Sequence, residues 1–375
     1  MRFSNATILT EDFRFIKGSF EVENGKFTQV MEGLSSVDAI NLEGALVLPG
    51  FIDVHNHGNS NADFSDGDYE GLKKMAAYLG KHGVTSFAPA SMTLPYDVLG
   101  RAFETAKQLR DARPAGHSKL MGIQMEGPFF CEKKKGAQNG EYLKNPDVEG
   151  FRKLYELSDG LVRIADLAPE LPGSLEFIRE VSKLCTVSIA HSDASYEEAK
   201  AAIDAGVTHL THLFNAMPSI HHRKPGVIPA AVENPKVRAE IICDGIHVHP
   251  ATVRLAFSMF GAERMILISD ALRCCGMPDG QYELGGQAIF LKGKTCTLAD
   301  GTLAGSVSNV HDCVKNAVSF GISLPDAVRA ASYNPACALG VQDQVGSIAV
   351  GKCADFLICN PELNIQAVYI DGAKV

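Results

Sequence analysis

The sequence contains no tryptophan and no long apolar segment. Nowhere in its 375 residues is there a run of about 18 apolar residues that could span a bilayer. Residues 1–15 also lack the basic and apolar regions of a secretory signal peptide. We therefore expect a soluble, cytoplasmic protein with no membrane partner.

Closely spaced cysteines and positive charge are also scarce. The ten cysteines are too dilute for a disulfide scaffold and include no C-x-x-C pair, so most are expected to be buried thiols in a reducing compartment. The net charge is −9, with 35 Lys+Arg against 44 Asp+Glu, and there is no long basic stretch. A nucleic-acid partner is therefore disfavoured, and an anionic ligand would have to be held by a local cluster.

From about residue 49 onwards the chain alternates between short β-branched apolar runs and stretches with helical spacing. Near-continuous apolar strands are typical of a parallel sheet buried on both faces, and eight strand–helix units predict an α/β fold, a (β/α)8 TIM-like barrel. The predicted strands are residues 51–58, 84–91, 120–127, 161–168, 186–193, 209–216, 239–248 and 264–271. The clearest predicted helices are residues 69–82, 195–206, 250–261, 309–320 and 324–333.

Both ends of the chain have a different pattern, of short strands separated by turns such as Asn24-Gly25. Neither end has enough strands to form a sandwich alone. We therefore expect residues 1–48 and 338–375 to pair in one small β-sandwich domain, with the barrel over 49–337 and a β insertion near 277–301. A doubly wound open sheet is the main alternative, but the first strand–helix turn lacks its G-x-G-x-x-G pattern.

Polar residues end most of the predicted strands, where a (β/α)8 barrel carries its active site. Alternate strand residues point the same way, so both imidazoles of His55-Asn56-His57 can face one cavity. Imidazoles that converge with carboxylates suit a borderline divalent ion such as Zn²⁺. The residues at or near these strand ends are His55, His57, Glu126, His191, His212, His247 and Asp270.

Each of these residues alone has another interpretation. A single histidine at a strand end is more often a hydrogen-bonded polar residue, and Glu126 could cap the turn at Gly127-Pro128. Their joint occurrence favours a metal site, because each unpaired buried polar group would cost about 1–3 kcal/mol.

Motifs over nearly the whole chain carry a resemblance to a known family. GIQMEGPFF (122–130) and THLFNAM (211–217) are the most specific, whereas PGFIDVHNHG (49–58) is shared widely among metal-dependent hydrolases. Further matching segments are IAHSDA (189–194), RKPGV (223–227), CDGIHV (243–248), ISDA (268–271) and LAGS (303–306). Together they resemble the N-acetylglucosamine-6-phosphate deacetylases of the amidohydrolase superfamily.

The resemblance implies a metal-dependent hydrolase of amino-sugar catabolism that converts N-acetylglucosamine 6-phosphate to glucosamine 6-phosphate and acetate. It implies that Glu126, His191 and His212 hold the main metal, and that His55 and His57 hold a second with Glu126 as a bridging ligand. The resemblance leaves open whether one or two ions bind per chain. Zn²⁺ is the expected ion and Fe²⁺ is the alternative.

The resemblance also implies roles outside the metal ligands. Asp270 would be the catalytic acid–base, although an aspartate there could instead cap a helix or turn. Asn215, Ala216 and Arg223 would contact the phosphate and His247 the sugar or phosphate end. Gln138 stands where some relatives have histidine, which leaves a contact to a sugar hydroxyl open.

A solvated basic loop is an alternative interpretation of residues 221–224, and a solvated surface is favoured for Lys133–Lys135. The resemblance also implies a homodimer.

Other functions stay open at this point. Within enzymes, the N-acetylgalactosamine 6-phosphate epimer or another amidohydrolase substrate is the alternative, since one inverted hydroxyl changes only one or two hydrogen bonds. From a different class, the chain could be a silent sugar-phosphate-binding protein. Such proteins usually lose metal ligands or the catalytic acid–base. Here all six of these residues are present, namely His55, His57, Glu126, His191, His212 and Asp270.

Overall fold

The computed structural model describes residues 1–33 and 38–375, so residues 34–37 of the predicted terminal domain lie outside the described residues. The N-terminal strands are β1 (Arg2–Leu9), β2 (Phe15–Glu23), β3 (Lys26–Glu32), β4 (Ile40–Asn41) and β5 (Leu46–Pro49). The turn between β2 and β3 consists of Asn24 and Gly25, both at positive φ (49° and 77°). A two-residue turn with this geometry matches the twist of the strands it joins, and the predicted hairpin is confirmed.

The middle of the chain forms parallel strands. In chain order, the strands are β6 (Phe51–Asn56), β7 (Gly58–Asn59), β8 (Ala62–Asp63), β9 (Val84–Pro89), β10 (Lys119–Leu120), β11 (Ile123–Met125), β12 (Val162–Leu167), β13 (Thr186–Ile189), β14 (His209–Leu210), β15 (Arg238–Ile242) and β16 (Met265–Ile268). Each of the eight predicted strand segments contains a strand. Strands β6, β9 and β10 form one parallel sheet and β11 to β16 form another in sequential order, while β7 and β8 form a small antiparallel pair.

Isolated parallel bridges connect the two parallel sheets at both edges. Ala90, after β9, pairs with Gln124 on β11. Asn56, at the end of β6, pairs with Ala271, just after β16. The first strand of the series therefore lies beside the last.

Helices follow most of these strands, as expected from the alternating pattern. They are α1 (Tyr69–Lys81), α2 (Tyr96–Ala112), α3 (Val148–Leu157), α4 (Ser174–Val181), α5 (Tyr196–Ala205), α6 (Val227–Val232) and α7 (Pro250–Phe260). The predicted start of α5 is confirmed: the Ser195 hydroxyl accepts from the Glu198 N–H while the Glu198 carboxylate accepts from the Ser195 N–H.

Two apolar layers support the parallel strands. The larger lies between the strands and the helices and includes Phe103, Phe151 and Phe177. A smaller one, with Ile164 and Ile266 among its members, is formed by residues of β6, β9, β12, β15 and β16 together with a later helix, Tyr333–Leu339. Apolar side chains therefore pack on both faces of these strands, which is why their sequences read as continuous apolar runs.

The remaining elements follow β16. A three-stranded antiparallel sheet comes first, then three helices and the last strands. They are β17 (Gly280–Leu284), β18 (Gln287–Lys292), β19 (Thr295–Leu298), α8 (Val310–Ser319), α9 (Leu324–Ala331), α10 (Tyr333–Leu339), β20 (Phe356–Cys359), β21 (Ile365–Ile370) and β22 (Ala373–Lys374). Leu284 of β17 packs in one cluster with Met92 and Leu272, so the inserted sheet lies over the carboxyl ends of neighbouring parallel strands.

Strands from both chain termini share one sheet. Among the described residues it has eight strands in the order β22-β21-β20-β5-β1-β2-β3, with β4 paired to β1. Phe20 of β2 packs edge-on against Phe356 of β20, with ring centroids 5.1 Å apart, although several strands separate them in that order. The sheet therefore curls over a shared aromatic core. No helix within residues 1–33 and 38–375 is both long and apolar enough to cross a lipid bilayer.

Candidate metal centre

One carboxylate, Glu126, lies among four imidazoles. Its Oε1 is 3.1 Å from Nε2 of His212, 3.2 Å from Nε2 of His191 and 3.5 Å from Nε2 of His55. Its Oε2 is 3.3 Å from Nε2 of His57. All five side chains are buried. The structure thus brings together the five residues predicted to bind metal, in two triads that share Glu126.

The strand ends carry these residues at recurring positions. Glu126 directly follows β11, and His191, His212 and Asp270 each lie two residues beyond a strand. The last three have positive φ values of 44°, 31° and 48°. Non-glycine residues rarely adopt this conformation, which costs about 1–3 kcal/mol each and is concentrated at functional sites. The backbone therefore turns sharply where the side chains enter the site.

Hydrogen bonds outside the cluster orient its members. The Gln138 amide donates to Glu126 Oε2 at 2.6 Å and accepts from the Thr93 N–H at 2.8 Å. Nδ1 of His57 faces the carbonyl oxygen of Ala90 at 3.1 Å. Gln138, a predicted substrate residue, is therefore engaged with the central carboxylate, and its contact with a substrate stays a prediction.

The donor set fits a divalent metal ion. Nε2 of His191 and Nε2 of His212 lie 3.1 Å apart, and both face the same oxygen of Glu126. The lone pairs of these three atoms would repel one another, and a cation bound between the atoms would remove that repulsion. Nε2 of His55 is buried and has no hydrogen-bond partner among the described residues. Buried imidazoles and a carboxylate are ligands that borderline divalent ions prefer. The donor set of this cluster therefore fits a divalent metal.

The charges within the cluster shift its protonation equilibria. Burial opposes ionisation of Glu126, but the surrounding imidazoles outweigh burial and hold the pKa of this carboxyl well below its usual range. Burial also opposes the charged form of His55, yet the negative charges of Glu126 and Asp270 and the hydrogen bond with Glu240 raise the pKa of His55 to about 10. Negative charge thus accumulates at the position where a cation would bind.

Asp270 lies at the edge of this cluster. Its Oδ1 is 3.3 Å from Nε2 of His57 and 3.6 Å from Nε2 of His55, and its backbone N–H donates to the carbonyl oxygen of His55 at 2.9 Å. Burial favours the neutral acid, but the positive charges of His55 and His57 lower the pKa of Asp270 below its ordinary value. Asp270 also lines the adjacent cavity, so an ionised carboxylate faces the space beside the imidazoles.

A cavity of about 360 Å³ opens from the cluster, within the size range of small-molecule sites. Gln138, Asn215, Ala216 and His247 line it, as the substrate-binding predictions require. Four apolar side chains also line it, those of Met92, Leu272, Leu284 and Leu303. His247 is held by Asp244, whose Oδ2 lies 2.7 Å from its Nδ1.

Two basic segments differ from expectation. Lys133 and Lys134, which the sequence suggested were only a solvated surface, line the cavity. Arg223 is exposed, lies beside His222 and is not among the residues that line this cavity. The sequence of a lysine run does not show whether the lysines line a cavity or lie on the solvated surface. The conformation of the loop after β11 decides where Lys133 and Lys134 lie.

Glu240, on β15, was missed by sequence reasoning. It is fully buried and faces Nδ1 of His55 at 3.1 Å and Nε2 of His209 at 2.9 Å. Its position in the apolar segment AEII was a usable signal, because a buried acid requires a partner.

Comparisons with known proteins give consistent relatives. The family model described as "Amidohydrolase family" matches residues 46–375. The N-acetylglucosamine-6-phosphate deacetylase of Bacillus subtilis is 38% identical over 325 residues, 86% of this chain and 82% of that protein. An N-acetylgalactosamine-6-phosphate deacetylase of Escherichia coli O157:H7 is 34% identical over 332 residues, 88% of each chain.

A solved structure is similar over the whole length. It is an aspartate-to-alanine variant of N-acetyl-D-glucosamine-6-phosphate deacetylase from Mycobacterium smegmatis in complex with N-acetyl-D-glucosamine-6-phosphate. Its TM-score is 0.94 at 32% identity, with 100% of this chain and 98% of that chain covered.

Proposed function

This chain belongs to the amidohydrolase family, and on that premise we propose that it hydrolyses the acetamide of N-acetylglucosamine 6-phosphate to glucosamine 6-phosphate and acetate, in amino-sugar catabolism. The observation that carries the proposal is the convergence of six side chains in one cluster beside a cavity. Five of them line the cavity, namely Glu126, His57, His191, His212 and Asp270, and His55 contacts Glu126. The relatives from Bacillus subtilis and Mycobacterium smegmatis support the substrate.

The proposed architecture is a closed (β/α)8 barrel over residues 49–337, with a small β-sandwich made of residues 1–48 and 338–375. The bridges Ala90–Gln124 and Asn56–Ala271 support closure, because they connect the parallel sheets at both edges. The sheet shared by β1 and β20 supports the second domain. In a barrel of this kind the carboxyl ends of all eight strands face one cavity.

We assign the metal ligands to two groups. Glu126, His191 and His212 would hold the main ion, and His55 and His57, with Glu126, would hold a second. Zn²⁺ is the proposed ion and Fe²⁺ the alternative, because imidazole suits both. When bound, such an ion lowers the pKa of its water to about 7 and polarises a carbonyl oxygen.

Asp270 is the proposed proton carrier. Its carboxylate is ionised and faces the cavity, so Oδ1 can accept a proton from the attacking water. The protonated acid can then deliver that proton to the amide nitrogen, which leaves as the amine of the sugar. The backbone of Asp270 is held by its N–H, which donates to the carbonyl oxygen of His55 at 2.9 Å.

The phosphate requires cationic or N–H donors. Lys134 is half-buried and lines the cavity, so this chain itself supplies a cation there. Asn215, Ala216 and His247 stay our candidates for the sugar phosphate and Gln138 for a sugar hydroxyl. Arg223 lies on an exposed loop. We propose that it contacts the phosphate in the cavity of the second protomer of the predicted homodimer.

A cytoplasmic location is part of the proposal. All ten cysteines are free thiols, as suits a reducing compartment.

The galactosamine epimer is a second candidate substrate, because the relative from Escherichia coli O157:H7 is 34% identical over 88% of the chain. Acetate release from both N-acetylhexosamine 6-phosphates, measured side by side with Zn²⁺ and after chelation, tests the proposal. We expect metal-dependent turnover with higher kcat/KM for the gluco epimer. Higher kcat/KM for the galacto epimer would reverse the substrate assignment, and absence of turnover on both would contradict deacetylation.

A further inference from the structure

We propose that Glu240 is a positioning residue that fixes His55 as an Nε2 metal ligand and thereby sets the metal affinity of the His55–His57–Glu126 triad. The inference rests on the proposed function only in requiring a metal at this cluster. It concerns a residue that contacts neither the cavity nor the proposed substrate.

Glu240 is held from two sides. It lies on β15, is fully buried, and its Oε2 is 3.1 Å from Nδ1 of His55. Its Oε1 is 2.9 Å from Nε2 of His209 on the neighbouring strand β14. The backbone N–H of His212 also donates to Oε2, at 3.2 Å. Each oxygen thus has a nitrogen partner, as a buried carboxylate requires.

The chemistry of these contacts selects one tautomer of His55. An ionised carboxylate can only accept, so Nδ1 of His55 carries the hydrogen that it donates to Glu240. In the neutral form of His55, which is the form that binds a metal, the lone pair is therefore on Nε2. This nitrogen has no hydrogen-bond partner among the described residues and faces Glu126 Oε1 at 3.5 Å. Glu240 therefore presents the free lone pair of His55 to the metal position.

The other imidazoles of the cluster differ in this respect. Nδ1 of His57 faces the neutral carbonyl oxygen of Ala90, and Nδ1 of His191 faces that of Lys134 at 2.9 Å. His212 Nδ1 has no hydrogen-bond partner within the described part of the chain. Among these four imidazoles, only that of His55 has a carboxylate as the hydrogen-bond partner of its Nδ1. A carboxylate partner fixes the ring and strengthens it as a donor to metal, and its loss typically costs 10–100-fold in metal affinity.

The test is a metal-binding measurement on Glu240→Gln, which keeps the size of the side chain and removes its charge. Asp166→Asn is the matched control, because Asp166 is also a buried acid on a parallel strand, β12, and accepts from the Gln124 amide at 3.0 Å rather than bonding to an imidazole. Zn²⁺ affinity is measured by competition with a chelator, and the geometry of the site by the visible spectrum of the Co²⁺-loaded protein.

We expect Glu240→Gln to bind one ion 10–100-fold more weakly and to change the Co²⁺ spectrum, with Asp166→Asn like wild type. If Glu240→Gln does not fold, Glu240→Asp carries the same test, since it keeps the charge but draws it away from Nδ1. Unchanged affinity for every ion would overturn the inference and leave the proposed function intact. If the wild-type protein binds no ion, the proposed function fails at its metal and the inference fails with it.

Discussion

His191, His212 and Asp270 have left-handed backbone conformations, and all three side chains enter the same site. Such conformations are costly for non-glycine residues and persist only where surrounding structure enforces them. For Asp270 and His212 the enforcement comes from neighbouring strands. The Asp270 N–H donates to the carbonyl oxygen of His55 at 2.9 Å, and the N–H of Leu213, which follows His212, donates to the carbonyl oxygen of Glu240 at 2.8 Å. The reactive groups are therefore presented by a backbone held in place by the adjacent strand.

Asp270→Asn is expected to lower kcat for acetate release by about 10²–10⁴-fold, because an amide can neither accept the proton of water nor return it to the leaving amine. Initial rates by an acetate assay measure the effect. Metal content, determined by elemental analysis of the same sample, should equal that of wild type. Normal turnover by this variant would show that another group carries the proton.

Gly127→Ala is expected to disturb the central carboxylate. Gly127 follows Glu126, has a φ of 97°, and an added Cβ would lie 2.2 Å from Oγ1 of Thr93. We expect a loss of about 1–3 kcal/mol from backbone strain alone, with further loss from the clash, together with lower acetate release. Urea unfolding and the acetate assay measure both.

Gly293→Ala is the matched control for that substitution, since Gly293 also has positive φ (63°) but nothing lies within 4 Å of an added Cβ. It should cost about 1–2 kcal/mol at most and leave activity unchanged. Equal losses in the two variants would mean that the contact with Thr93 has no role.

At the scale of elements, a buried ion pair connects the parallel strands to the terminal sheet. Lys119 of β10 lies 2.6 Å from Asp355, just before β20, and 2.9 Å from Asp371, just after β21. The side chains of Lys119 and Asp355 are 8% and 3% exposed. Burial raises the pKa of Asp355 despite Lys119. The carboxylate therefore depends on this lysine for its charge.

Lys119→Met should destabilise the protein by about 3–5 kcal/mol, because it leaves the Asp355 carboxylate buried without its cation. The free energy of unfolding in urea measures this loss. Lys73→Met is the control: the surface pair of Lys73 with Glu70 is 3.5 Å apart and largely exposed, so its removal should cost less than about 1 kcal/mol. A loss of under 1 kcal/mol in both variants would contradict the assigned role of Lys119.

At the scale of the whole molecule, the two ends of the chain form one sheet, and the first parallel strand lies beside the last. His55 comes from the first strand of the series, Asp270 from just after the last, and Glu126 from just after β11. A metal ion bound to this cluster therefore contacts residues distributed over most of the fold. Its binding free energy adds directly to the stability of the folded state.

Divalent metal should raise the melting temperature of the protein. At a free Zn²⁺ concentration of about 100 times Kd, the expected stabilisation is about 2.7 kcal/mol relative to the chelated protein. Scanning calorimetry over a series of free Zn²⁺ concentrations measures it. Glu126→Gln removes the charge shared by both triads and should abolish most of the shift. An equal shift in that variant would mean that the stabilising ion binds elsewhere.

The strands and helices could be predicted because each has a local cause. The apolar runs gave the positions of the parallel strands, and Ser195 with Glu198 gave the start of α5. The convergence of these imidazoles and acids was predictable for a related reason, since histidine and acid at strand ends are costly without a shared partner. Their role as metal ligands stays a prediction. Glu240 was missed because its role depends on which residues face it from β6 and β14.

By itself, the sequence determined the alternation of strands and helices, the pairing of the chain ends and the identity of the clustered imidazoles and acids, because these follow from local periodicity and from residue type. Only the tertiary structure decided that Lys133 and Lys134 line the cavity while Arg223 does not, and that His55 has a carboxylate behind its ring. The physical reason is that contacts between residues far apart in the chain depend on how strands and loops pack, and no local pattern records that packing.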